Sequence, residues 1–118
     1  MEKEIVEQKV VDVGENEENE GMEMDFMMVK LSKTYLFEGK EIAEIDLNSL
    51  ESLTGADMIT INRMMKKRGN TDASPEITME FAFFAAMQAT GMPLEFFYSL
   101  SMKDSMRIKA RVNYFLMY

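Results

Sequence analysis

Few residues in this 118-residue chain are equipped for chemistry, and the types that are missing narrow the possibilities at once. There is no His and no Cys. This removes histidine bases, cysteine nucleophiles, thiolate zinc sites and disulfides together. The carboxylates Glu41, Glu44 and Asp46 lie close in sequence and invite comparison with the paired acids of glycoside hydrolysis. Their place on an alternating segment makes them edge and solvent-facing charges of a hairpin instead. Lys103, Arg107 and Arg111, spaced by four, form a basic stripe near Tyr114 that could meet phosphates. A stripe this short is a weak footprint, and we read it as a solvated or ion-paired face, with no nucleic-acid partner. Gly14, Gly21, Gly39, Gly55, Gly69 and Gly91 are scattered, so no phosphate cradle forms. The acidic stretch Gly14–Glu23 lacks calcium-ligand spacing. No catalytic, cofactor-binding or metal-binding residue is assigned, no cofactor is expected, and the chain reads as non-enzymatic.

Charge divides the chain in two. The formal net charge is −8, and residues 1–25 carry all of it, with ten acids against Lys3 and Lys9. Residues 26–118 hold eleven acids and eleven bases. The stretch from Gly14 to Gly21 is almost wholly Glu and Asn, a composition that cannot bury enough apolar surface to offset the entropy of ordering. Residues 1–25 are therefore expected to be a disordered acidic arm, and residues 26–118 a single domain of ordinary size. The opening residues show no basic stretch followed by an apolar run, so no signal peptide is visible. The longest apolar run, Phe81–Met87, is far short of the roughly 20 residues needed to span a bilayer. These features point to a soluble intracellular protein with no membrane partner.

The body must then position whatever surface it uses. Val29 and Leu31 alternate with Lys30 and Ser32 in Met27–Phe37, the period of a half-buried strand. Glu38-Gly39-Lys40 is a turn, and Ile42, Ile45 and Leu47 among acids make a second strand with imperfect alternation. Asn48-Ser49 can cap a short turn through Leu53. Thr54 with Asp57 three residues on predicts a capped helix over Ala56–Arg68, closed by Gly69. Ser74-Pro75-Glu76 predicts a helix from Pro75 to Thr90. Ten of the thirteen residues from Ile77 to Ala89 are apolar, so this helix must be buried on most sides. Pro93 opens a short helix through Leu100, and Ser101 with Asp104 starts a last one over Met102–Leu116, with Ile108, Val112 and Phe115 on its inner face. The expected fold is α+β: an N-terminal β-hairpin followed by a mostly helical bundle of about four helices.

The apolar supply exceeds what so small a body can hide. The chain has 14 Met, 8 Phe and 4 Tyr, and it finishes on the run Asn113–Tyr118 (NYFLMY). Domains of this size leave roughly a third of their unfolded-chain surface exposed. Part of the apolar surface is thus expected to meet another polypeptide, and Met-rich surfaces adapt to varied partners. The candidate protein-binding residues are Phe81, Phe84, Met87, Phe96, Phe97 and Phe115. A different class of reading is a small acidic regulator that sequesters a basic partner through the N-terminal arm.

The segment Val29–Ile59 (VKLSKTYLFEGKEIAEIDLNSLESLTGADMI) resembles the small phage tail assembly chaperones of Mu-like prophages and of long-tailed phages of Gram-positive bacteria. Leu31, Lys33, Gly39, Ile45, Leu47, Leu53, Thr54, Gly55 and Asp57 fit the pattern of that family, as do the apolar C-terminal helices. Thr34 stands where a Pro often follows the Lys, and the long acidic arm is a further departure. The resemblance spans about Val29 to Tyr118. It implies a non-enzymatic protein of the bacterial host cytoplasm that binds the tape-measure protein, assists assembly of the tail tube, and is absent from the mature virion. It further implies a frameshifted longer form that engages the tail-tube protein, while the apolar surplus itself points to contact with a copy of the chain, a homo-oligomer, or with a partner.

Overall fold

The computed structural model describes residues 26–118, and the expected acidic arm lies outside them. Two antiparallel strands, β1 (Met28–Phe37) and β2 (Lys40–Asp46), form the N-terminal hairpin. A 3-10 turn (Asn48–Ser52) leads into α1 (Gly55–Lys67). A second 3-10 turn (Pro75–Ile77) precedes α2 (Met79–Thr90), which is followed by α3 (Leu94–Tyr98) and α4 (Met102–Met117). The architecture is the α+β arrangement of hairpin and four helices.

Glu38 and Gly39 both take positive φ, 51° and 79°. A two-residue hairpin loop wants this at both central positions, because only then does the turn's twist match that of the strands. Glycine does so freely, whereas Glu38 bears the steric cost of a Cβ in that region. The ladder is not continuous. Val29 pairs with Ile45 and Lys30 with Glu44, but Tyr35 pairs with Ile42 and Phe37 with Lys40. The four residues Leu31–Thr34 therefore oppose Ala43 alone, an enlarged bulge. An odd register shift changes which positions share a face. That accounts for the imperfect alternation of β2: Ile42 and Ile45 both pack against the core despite a spacing of three.

The helices α1, α2 and α4 each begin where a short polar side chain takes up a free N–H group, whereas α3 starts at Pro93 with no side-chain cap. Thr54 and Asp57 form a reciprocal capping box at α1, as the spacing requires. The helix expected from Pro75 is interrupted. Pro75–Ile77 is a 3-10 turn, and the hydroxyl of Thr78 accepts from the N–H of Phe81 to start α2. Thr78 thus caps where Ser74 was expected to, and Ile77 is left exposed rather than buried. Gly91, with φ 78°, ends α2 in the left-handed conformation.

The core gathers around α2, whose six consecutive residues Phe81–Ala86 are all buried. Burial of six successive residues uses every side of the helix, so α2 is enclosed by α1, α3, α4 and the first 3-10 turn. Phe96 lies with its ring centroid 5.3 Å from those of both Phe37 and Phe97, joining hairpin to helices through edge-on aromatic contacts. Replacing Glu38 with Asn, which tolerates positive φ better, is expected to stabilise the fold by about 0.5–1 kcal/mol. Urea denaturation of the variant measures this, and an unchanged or lowered midpoint would count against the turn assignment.

Candidate functional site

The site is assembled from the start of α4. Asp104 is completely buried, a position that a carboxylate tolerates only with good partners. It has them. One oxygen accepts from the backbone N–H of Ser32 at 2.8 Å; the other accepts from the Ser32 hydroxyl at 2.8 Å and the Tyr35 hydroxyl at 2.6 Å. Arg107 approaches the first oxygen at 3.4 Å. The Tyr35 hydroxyl in turn accepts from the N–H of Ser101, the N-cap residue of α4, at 3.0 Å. The bulge supplies this geometry, because a residue out of the ladder has a backbone N–H to offer. Burial is the largest influence on Asp104 and by itself would raise its pKa. The hydrogen bonds from Tyr35, from both groups of Ser32 and from the cap at Ser101 outweigh it, so the carboxyl titrates below its ordinary value.

Two further bonds hold α4 along β1. Arg107 donates to the carbonyl of Lys30 at 3.0 Å, and Arg111 donates to the carbonyl of Phe26 at 2.8 Å while stacking 4.8 Å from its ring. The stripe read as a solvated or ion-paired face therefore also has a structural task, carried by two of its three residues.

With α4 fixed, its last turns form one wall of an apolar groove of about 240 Å³. Val112, Phe115 and Leu116 face Met58 and Ile61 of α1 across it. Leu50 and Leu53 close one end, and Phe81 and Ala85 of α2 form the floor. Thr54 and Asp57, the capping pair, sit at its polar rim. Beside it α4 continues into Met117 and Tyr118, which are 72% and 91% exposed. The geometry suits the insertion of apolar side chains from another polypeptide. Among the described residues no cluster of three or more acids could hold a metal ion, and no helix is long and apolar enough to cross a membrane.

The candidate residues divide. Phe81 and Phe115 meet in the groove, the first as buried floor and the second as half-buried wall. Phe96 and Phe97 are wholly enclosed in the aromatic cluster. Phe84 is buried with the Arg68 guanidinium 5.9 Å above its ring, and Met87 packs half-buried against the core. The groove's other walls, Leu50, Leu53, Met58, Ile61 and Leu116, were not among the candidates. The signal that reaches them is the run Leu53-Thr54-Gly55 with Asp57, since a helix start next to a leucine must place both at one edge of the core.

A small helix-rich body with an apolar groove walled by three segments has the geometry to receive side chains of another polypeptide. The family described as "Phage tail assembly chaperone proteins, E, or 41 or 14" matches residues 28–117, and the chain belongs to that family. No curated protein and no solved structure matches the chain. Membership assigns the chain a chaperone role in phage tail assembly, a role exercised on protein partners.

A depressed pKa for Asp104 means that its contribution to stability is complete above the unfolded-state value of about 3.9 and is lost as pH falls through the lower folded-state value. Asp104→Asn, which keeps the shape but turns an amide N–H toward donors, is expected to lose about 2–4 kcal/mol at pH 7. Its stability should also fall less steeply than that of the parent below about pH 4. Urea titrations of both proteins from neutral to acid pH check the two statements; parallel acid limbs would refute the assignment.

Proposed function

We propose that this chain binds the tape-measure protein, inserting apolar side chains of that long helical partner into the groove between α1 and α4. The observation that supports the reading is the groove itself, a preformed apolar slot beside an exposed apolar ending. A tape-measure chain carries apolar stripes that stay uncovered until tube subunits surround it. A groove walled by Met58, Leu53, Leu116 and Phe115 can accept many such stripes, because Met and Leu side chains adjust to what they meet. Phe81 contributes from the floor. Phe84, Met87, Phe96 and Phe97 act behind it by holding α2 and the hairpin in place. Self-association through Met117 and Tyr118 would place several grooves along one partner and raise avidity. A frameshifted longer form would link the same body to the tail-tube protein. The work is done in the host cytoplasm, and the chaperone leaves before the virion is complete.

Co-expression with a tape-measure fragment tests the reading, with a soluble complex as the expected result. Leu116→Asp puts a charge on the groove wall at a position already 38% exposed, so the fold should survive. Binding of the fragment is expected to weaken by about 10- to 100-fold, the scale of one hot-spot residue. A folded variant that keeps the fragment soluble at parental affinity would exclude the groove as the site.

A further inference from the structure

One side of α4 is not used by the fold. Its inner positions Ile108 and Val112 go into the core, and Asp104 and Arg107 are bonded to β1. Met102, Met106, Ala110 and Asn113 recur at steps of four, four and three residues, so they fall in one line along the helix. The first part of that line is open among the described residues: Met102 is 87% and Met106 53% exposed, and Ala110 is exposed as well. The outer face of a surface helix is ordinarily polar or charged. Two methionines and an alanine in succession there form an apolar seam, the kind of exposed patch that marks a contact with another protein.

The seam has a charged border of one sign. At about 3.6 residues per turn, Lys103 and Arg107 lie along one edge of the line and Lys109 along the other. Asp104 is the only acid of α4, and it is buried on the far side against β1. Every charge that α4 sets beside the seam is therefore positive.

We propose that the seam is a second docking surface, and that its occupant is an amphipathic helix of another protein whose apolar stripe is bordered by Glu or Asp. The stripe lies on Met102, Met106 and Ala110. The thioethers adjust to its side chains, and the small Ala110 lets it come close. Its acids meet Lys103 and Arg107 on one edge and Lys109 on the other. Charge complementarity selects this occupant over α4 of a second copy. That helix brings the same bases and no exposed acid, so pairing would set like charges against each other. The groove is walled by the other end of the helix, at Val112, Phe115 and Leu116. Seam and groove thus divide α4 between them, and the seam does not depend on what the groove takes.

Methionine methyl signals of the full chain read the contact, with Met102 and Met106 assigned by substitution. The probe is a synthetic peptide of about 18 residues, long enough to form a helix, with leucine at every third or fourth position and glutamate on both sides of that stripe. A control peptide keeps the leucines and carries lysine in place of glutamate. The glutamate peptide is expected to shift the Met102 and Met106 signals and to bind at least about tenfold more tightly than the lysine peptide. Lys103→Glu combined with Lys109→Glu should invert that preference. Leu116→Asp, which puts a charge in the groove, should leave the Met102 and Met106 shifts as they are in the parent. Four results would overturn the proposal. The first is that neither signal moves. The second is that the lysine peptide binds as tightly. The third is that the shifts vanish in Leu116→Asp, which would assign them to the groove. The fourth is that both signals already move in the peptide-free chain, either on dilution, which would put a second copy on the seam, or between about 0.01 M and 1 M salt, which would put the chain's own acids there.

Discussion

The arrangement depends on one buried carboxylate. Asp104 lies fully out of solvent where a charge without partners would be prohibitively costly, so the chain around it is obliged to supply donors. The donors come from β1, some seventy residues earlier: the hydroxyls of Ser32 and Tyr35, and the N–H of Ser32, which lies where the ladder is broken. Bulge, buried acid and the docking of α4 on the hairpin form one linked unit. A regular ladder would commit the N–H of Ser32 to β2 or turn it away, and Asp104 would lose a principal partner. The orientation of α4 follows, and with it the groove wall formed by Val112, Phe115 and Leu116.

The second organising constraint is the disposal of aromatic and methionine side chains. Counting apolar residues correctly anticipates that not all can be hidden, but the fold chooses which. The helix richest in phenylalanine, α2, is the one most thoroughly enclosed, and Phe37, Phe96 and Phe97 form a second aromatic cluster, while Tyr98, Tyr114 and Tyr118 stay exposed. The surplus emerges on α4 instead, where Met102, Met106 and Met117 are exposed. Rigid rings gain most from a fixed core, where their large area is matched by neighbours of fixed shape. Flexible thioethers are better suited to a surface whose occupant varies.

Much of this architecture was legible because it is local. The hairpin about Gly39, the capping box of Thr54 and Asp57, the left-handed stop at Gly91 and the start of the last helix at Ser101 each depend on residues within a few positions of one another. What could not be read is what depends on distance. Thr78 outcompetes Ser74 as a cap because its hydroxyl also donates to the carbonyl of Pro75, closing the 3-10 turn at the point where α2 must enter the core. Asp104 looks in sequence like an ordinary first-turn acid, and nothing near it announces Ser32 or Tyr35. The groove was half legible for the same reason. Phe81 and Phe115 stand out by their size, whereas Leu50, Leu53 and Met58 become groove walls only when the first 3-10 turn and α1 fold over α2.

A groove of this volume admits one or two side chains, which limits what a single copy can achieve. Tight capture by one such site would require shape matching, and shape matching would restrict the chaperone to one sequence of partner. A long helical chain poses the opposite problem, since its apolar positions recur at similar spacing with different residues. Weak, tolerant contacts repeated along that chain solve it: each contact exchanges quickly, while several together keep the partner covered. If the groove binds as proposed, release needs no dedicated trigger. Any protein that buried the same stripe more completely would displace the small grooves one by one, and each displacement would be easy because each contact is weak. On the proposed reading, the modest size of the groove suits a chaperone that binds its partner and then lets it go.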